Sequence, residues 1–258
     1  MSERTPAAFI GHGNPMNSLE SNEWTQSWVD FALSFEKPKA ILAISAHWYI
    51  GLSAVTAMTS PRTIHDFYGF PQELFDISYP APGSPELAAR VVDLISPTYC
   101  GLDADSWGLD HGTWSVLTHM YPNADVPVVQ LSVHAGEAYA YHHRLGQALN
   151  PLRDEGVLIL GSGNVVHNLG RIAFDKPGLG EPWAQHFDDA TAKIMTSQPA
   201  NLVAVLDLPE APAAVPTPEH FLPLAYIAGI ADASLTTARP IVRGCDLGSL
   251  SMTSYVVA

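Results

Sequence analysis

Short, unbroken apolar runs recur along the chain, spaced by segments with helical periodicity or turn residues. Residues 7–10 (AAFI) form the first, and Gly11-His12-Gly13 closes it, the pattern of a buried strand running into a loop. Residues 40–45 (AILAIS) form a second, ending at Ala46-His47-Trp48, and residues 54–58 a third. Residues 126–133 (VPVVQLSV) and 157–160 (VLIL) read as two more buried strands, the latter ending in Gly161-Ser162-Gly163-Asn164. A final strand is expected over 250–257. Among the helices, Ser84-Pro85-Glu86 supplies an N-cap and a first-turn proline, followed by Leu87, Val91, Val92, Leu94 and Ile95 on a helical period. Others are expected over residues 138–154 and 182–197. Thr217-Pro218-Glu219 reads as one more helix start, which places His220 on a first turn.

Buried strands alternating with helices predict an α/β sheet covered on both faces. The last segments follow one another without a clear helix between them, so the sheet should be mixed and mostly parallel. No repeat, linker or composition break appears, and a single domain over residues 1–258 is expected.

Composition narrows the function. Hydrophobic residues make up 47% and charged residues 15%, which fits a large core. The formal net charge of −14, with 12 lysines and arginines that do not cluster, argues against nucleic-acid and anionic-membrane partners. The two cysteines form no CxxC pair, and no apolar run is long enough to span a bilayer. The opening segment lacks the apolar core of a signal peptide, so a cytoplasmic protein is expected. Dinucleotide, P-loop, nucleophile-elbow, HExxH and paired CxxC motifs are all missing.

Eleven histidines remain as the candidate chemistry. His12 and His47 directly follow apolar strand runs, and His167 comes shortly after one. Ligand crevices of open α/β sheets lie beyond the carboxyl ends of strands, so these three should share one crevice, with His220 near the same edge. One such histidine alone is usually a loop or cap residue; four at strand and helix edges point to a metal site with open positions. Asn14 and Asn164 are short amides suited to hold metal-bound histidines, and Trp48 is placed to wall one side. The segments 63–71 (Thr63-Ile64-His65-Asp66-Phe67-Tyr68-Gly69-Phe70-Pro71) and 107–114 combine a histidine, aromatics and chain breakers, which suits an aromatic ligand. In the second, Asp110 is the candidate to orient His111. His119, His134, His142, His143 and His186 have no such context.

These segments, with Tyr79-Pro80-Ala81-Pro82-Gly83, Asp110-His111-Gly112-Thr113-Trp114, Gly163-Asn164-Val165-Val166-His167 and Gly248-Ser249-Leu250-Ser251-Met252, resemble the DOPA 4,5-dioxygenase family of class III extradiol ring-cleavage dioxygenases. The resemblance runs in order through nearly the whole chain. It implies a three-layer α/β/α sandwich and one divalent metal, Fe(II) for ring cleavage with Zn(II) as an alternative occupant. By motif matching, His12, His47 and His220 are the implied ligands. His167 is implied as acid/base or fourth ligand, and His111, His65 and Trp48 as substrate contacts. Where the broader class offers a carboxylate as third ligand, this branch offers His220, with Glu219 adjacent. The implied reaction is extradiol cleavage of a DOPA-like catechol by O2. The same histidines also suit a zinc-dependent hydrolase of amides or esters, or a non-catalytic metal-binding protein. The pattern leaves the oligomeric state open.

Overall fold

The computed structural model describes residues 4–258 of the chain. The strands are β1 (Ala7–Gly11), β2 (Ala40–Ile50), β3 (Ala54–Thr56), β4 (Gly101–Asp103), β5 (Val128–His134), β6 (Val157–Gly163), β7 (Arg239–Val242), β8 (Cys245–Asp246), β9 (Leu250–Ser251) and β10 (Ser254–Val257). The helices are α1 (Glu23–Leu33), α2 (Gln72–Phe75), α3 (Pro85–Ile95), α4 (His111–Met120), α5 (Tyr139–Leu149), α6 (Pro182–Met195), α7 (Ala211–Ala214) and α8 (Leu222–Ala233). Eight strands form one sheet in the order β4-β3-β5-β2-β6-β1-β10-β7, and β8 and β9 form a small hairpin beside it. The central strands β5, β2, β6 and β1 are parallel, while β3 against β5, and β10 against β1 and β7, are antiparallel. The sheet is therefore mixed, as the pattern required.

Side-chain alternation along the central strands builds two separate cores. Phe9, Leu42, Ile44, Leu131 and Ile159 pack with residues of α3, α5, α6 and α8 on one face. Ile10, Ile41, Ala43, Val128 and Leu160 pack with α1 and α4 on the other. The result is the three-layer sandwich. Helix α8 is buried on all sides, and α5 packs against it at glycines: a Cβ on Gly146 would lie 2.1 Å from the Tyr226 carbonyl oxygen, and one on Gly229 2.0 Å from that of His143.

Several boundaries differ from those expected. Strand β2 continues to Ile50, so His47 lies inside the strand, at a slip of its register with β5 between Ile44 and Tyr49. Pro151 ends α5, and residues 150–155 continue as a 3-10 turn. Thr217-Pro218-Glu219 does not start a helix. The N–H groups of Phe221 and Leu222 both close on the Pro218 carbonyl, and α8 begins only at Leu222, with Pro223 in its first turn. His220 thus sits in the turn ahead of α8. The segment 107–114, expected to serve an aromatic ligand, holds the start of α4 at His111. The final strand is split into β9 and β10. Among the described residues, no helix is long and apolar enough to cross a membrane.

Candidate metal centre

Three imidazoles meet beyond the carboxyl ends of the adjacent strands β1, β6 and β2. His12 follows β1 and extends the ladder by one residue, its N–H donating to the Gly163 carbonyl (3.1 Å). The Asn17 amide donates to the His12 carbonyl (3.1 Å). His47 projects from the slipped part of β2, where Ser45 Oγ accepts its N–H (3.2 Å) and donates to Asp110 (2.7 Å). The Asn164 N–H, at the end of β6, donates to the His220 carbonyl (2.9 Å) and ties the turn before α8 to the sheet. One ring nitrogen from each of His12, His47 and His220 lies within 4.8 Å of the others, and the Nε2 atoms of His12 and His47 are 3.2 Å apart.

Hydrogen bonds fix where each ring keeps its lone pair. Ser162 Oγ donates its single proton to the Gly112 carbonyl (2.5 Å), so at His12 Nδ1 (2.9 Å) it accepts. His47 Nδ1–H donates to Asp66 (3.0 Å) and His220 Nδ1–H to Glu219 (3.1 Å). All three Nε2 atoms therefore face one another, and His220 Nε2 has no hydrogen-bond partner among the described residues. Three Nε2 atoms converging in this way suit a shared cation, which a proton between His12 and His47 or a metal ion among all three would supply. Burial, followed by the neighbouring imidazoles, holds His12 and His220 well below the ordinary histidine pKa, so both are neutral and ready to ligate. At His47 burial opposes the charge, but the bond to Asp66 and the nearby Asp110 raise its pKa. Three imidazoles, each backed by a hydroxyl or carboxylate, fit a divalent transition metal.

Around this triad stand the other candidates. His111 is buried at the start of α4, its ring centroid 3.9 Å from that of His47 and 5.9 Å from that of His12. Burial and the His47 charge push it down to about 4. Its partner is not Asp110. Asp66 accepts both the His111 Nδ1–H (2.9 Å) and its backbone N–H (3.0 Å). Asp110 instead caps α4 through the Thr113 N–H and binds Ser45, Gln130 and Trp107. His167 lies flat on His220, with centroids 3.5 Å apart and planes at 8°, and burial pushes it down to about 4. Phe67 meets His111 edge-on (5.4 Å) and joins Phe70, Phe75 and Trp114 in an aromatic wall. His65 packs into the back of that wall with Nε2 on the Ile77 carbonyl (3.0 Å). Trp48 is buried and stacks on Trp107 (5.9 Å, 2°). Asn14 caps a short turn through the Met16 N–H and plays no part behind His12. Among the described residues, the five remaining histidines join no such donor cluster.

Asp66 and Ser162 were not singled out from the sequence. Asp66 stood beside the flagged His65, and a carboxylate next to a histidine in an aromatic loop was the available signal. Ser162 lay in a glycine-flanked strand end that matched no nucleotide motif.

A family model described as the catalytic LigB subunit of aromatic ring-opening dioxygenase matches residues 7–251. The chain is 47% identical to a 4,5-DOPA dioxygenase extradiol of Escherichia coli over 99% of this chain and 96% of the relative. It is 41% identical to one from Beta vulgaris, over 96% and 94%. The crystal structure of an uncharacterized protein from Escherichia coli K12 superposes with a TM-score of 0.86 at 42% identity, covering 99% of this chain and all of that one.

Proposed function

Because the chain belongs to the family of the catalytic LigB subunit of aromatic ring-opening dioxygenase, and is an oxidoreductase by that membership, we propose that it performs extradiol cleavage of a DOPA-like catechol with O2. In this reading residues 1–258 act as one catalytic domain in the cytoplasm, holding one divalent metal, and no nucleic acid or membrane takes part. The observation that carries it is the convergence of three imidazole Nε2 atoms, that of buried His220 without a hydrogen-bond partner among the described residues.

His12, His47 and His220 would hold the metal. Fe(II) is the ion assigned, since zinc has no accessible redox chemistry, although zinc would compete for three imidazoles. When bound, the metal supplies Lewis acidity toward the catechol oxygens and an electron path to O2. His111, its Nδ1–H pinned on Asp66, offers its Nε2 lone pair to a substrate hydroxyl. His167, with a pKa near 4, carries no proton at neutral pH, so it can take one from a hydroxyl and return it as the ring opens. The wall around Phe67 accepts the ring by edge and face contacts, with His65 behind it, while Trp48 stacks on Trp107. Both atoms of O2 enter the product, and the ring bond that breaks lies beside the two hydroxylated carbons, not between them. No external reductant is required.

The test is oxygen uptake with a panel of catechols, using protein stripped of metal and reloaded anaerobically with Fe(II) or Zn(II). Uptake with a new yellow product, seen only with Fe(II), is expected. Tight metal binding without uptake on any catechol would sink the proposal and move the weight to hydrolysis.

A further inference from the structure

We propose that Asp66 is a positioning residue that sets the tautomers of two histidines with different duties, His47 toward the metal and His111 toward the substrate. The division of duties rests on the function proposed above, while the tautomer argument rests on hydrogen bonds alone. One Asp66 oxygen faces His47 Nδ1 at 3.0 Å, and the other faces His111 Nδ1 at 2.9 Å and its backbone N–H at 3.0 Å. An ionised carboxylate only accepts. Each imidazole must therefore carry a hydrogen on Nδ1, which leaves Nε2 as the nitrogen available to a metal or a substrate. On His47 that nitrogen is the one 3.2 Å from His12 Nε2, inside the triad.

The carboxylate is delivered by a loop pinned on both sides of it. The Ile64 N–H donates to the Leu109 carbonyl (2.8 Å), the Ile64 carbonyl accepts the Trp114 indole N–H (2.8 Å), and His65 holds the Ile77 carbonyl. Immediately after it, Phe67 packs on the His111 ring. The same short loop thus fixes the substrate wall, the substrate-facing histidine and one arm of the triad.

An amide in place of the carboxylate separates the two roles. In Asp66→Asn the amide oxygen belongs on the His111 side, where two N–H donors converge, so the NH2 group faces His47 Nδ1. Two N–H groups cannot face each other. His47 must move its hydrogen to Nε2 or turn its ring, and either loses the lone pair aimed into the triad, while His111 is unchanged. Asp66→Glu keeps an acceptor for both rings and should recover part of the effect.

The experiment titrates metal-free wild type, Asp66→Asn and Asp66→Glu with Zn(II) against a chromophoric chelator at neutral pH. The imidazole tautomers of the same samples are read by long-range nitrogen–proton NMR. Asp66→Asn should bind Zn(II) about 10–100-fold more weakly, the usual loss for an outer partner of a metal-bound histidine. Its His47 signals should leave the Nδ1–H pattern while those of His111 stay, and Asp66→Glu should fall between. Zn(II) affinity equal to wild type in Asp66→Asn would overturn the proposal. So would a wild-type spectrum with a His47 hydrogen on Nε2 and none on Nδ1, which needs no variant to fold. Neither readout requires ring cleavage. Failure of the dioxygenase reading with weakened Zn(II) binding would leave the Asp66 role intact, and active Fe(II) enzyme with unchanged tautomers would do the reverse.

Discussion

His220 and His167 lie face to face, yet their surroundings assign them different work. Among the described residues, His220 has Nδ1 on Glu219 and a buried, unpartnered Nε2, whereas the His167 ring has Glu219 within 4.8 Å but no carboxylate hydrogen-bonded to it. His220→Ala should therefore lower metal affinity by more than the roughly 10–100-fold expected for losing an outer partner. His167→Ala should retain the metal and lose turnover. Metal titration of the two variants beside oxygen uptake separates them, and loss of metal from His167→Ala would make it a ligand. The histidines were legible in the sequence because each stands next to an apolar run or a glycine, where strand ends deliver side chains to a crevice. Their carboxylate partners were not. Asp66 reaches His47 and His111 only after three segments distant in sequence have folded together, and the nearer Asp110 is used to cap α4. Sequence adjacency favoured the wrong carboxylate because a residue at the helix cap points at backbone N–H groups and not at its neighbour's ring.

The strands bring these side chains together by leaving no room beside them. A Cβ built on Gly163 would lie 2.1 Å from the His220 carbonyl oxygen, and one on Gly112 would meet Ser45 Oγ at 2.5 Å and His47 Cδ2 at 2.7 Å. At Gly163 the obstacle is backbone, so the His220 turn must move away from β6. Gly163→Ala should destabilise the protein by about 1–3 kcal/mol through overpacking and also weaken metal binding. Denaturant unfolding and metal titration would check this, and a stability loss with unchanged metal affinity would show that the turn can retreat without carrying His220 off the triad. The apolar runs announced the central strands, since an all-buried parallel sheet leaves no polar alternation to blur them. They did not announce where β2 ends. His47 was expected just after the run, which was to end at Trp48, but the strand continues to Ile50 by slipping its register against β5. The start of α8 was misplaced for a related reason. Thr217-Pro218 carries a helix-start signature, and the second proline, Pro223, is the one the helix uses.

Across the whole molecule the buried histidines link protons, metal and stability. His111, His142 and His167 are each held to about 4, from an ordinary value of 6.5, with burial the largest cause. A folded-state pKa below the unfolded one means that unfolding takes up protons. The stability these groups contribute is thus full above about 6.5, falls as the pH drops through that value, and is gone below about 4. His142, remote from the triad and hydrogen-bonded to Tyr226, gives the cleanest case, on the order of 3 kcal/mol across that window. Metal-free protein should accordingly melt at progressively lower temperature between those limits, and His142→Gln should flatten part of the slope. Metal acts on the same fold from the opposite direction. Its three candidate ligands come from β1, β2 and the turn before α8, so an ion bound there ties the two ends of the chain across the central strands, and it binds the folded state alone. Free metal at 100 times its dissociation constant contributes about 2.7 kcal/mol, a rise of roughly 5–10 °C in melting temperature for a chain of this size. Calorimetry before and after chelation at neutral pH should show that rise. It should shrink as the pH falls, because protons compete for the same Nε2 lone pairs. A melting temperature that ignores both chelator and added Zn(II) would mean that the three imidazoles do not bind an ion at all, whatever else the fold does.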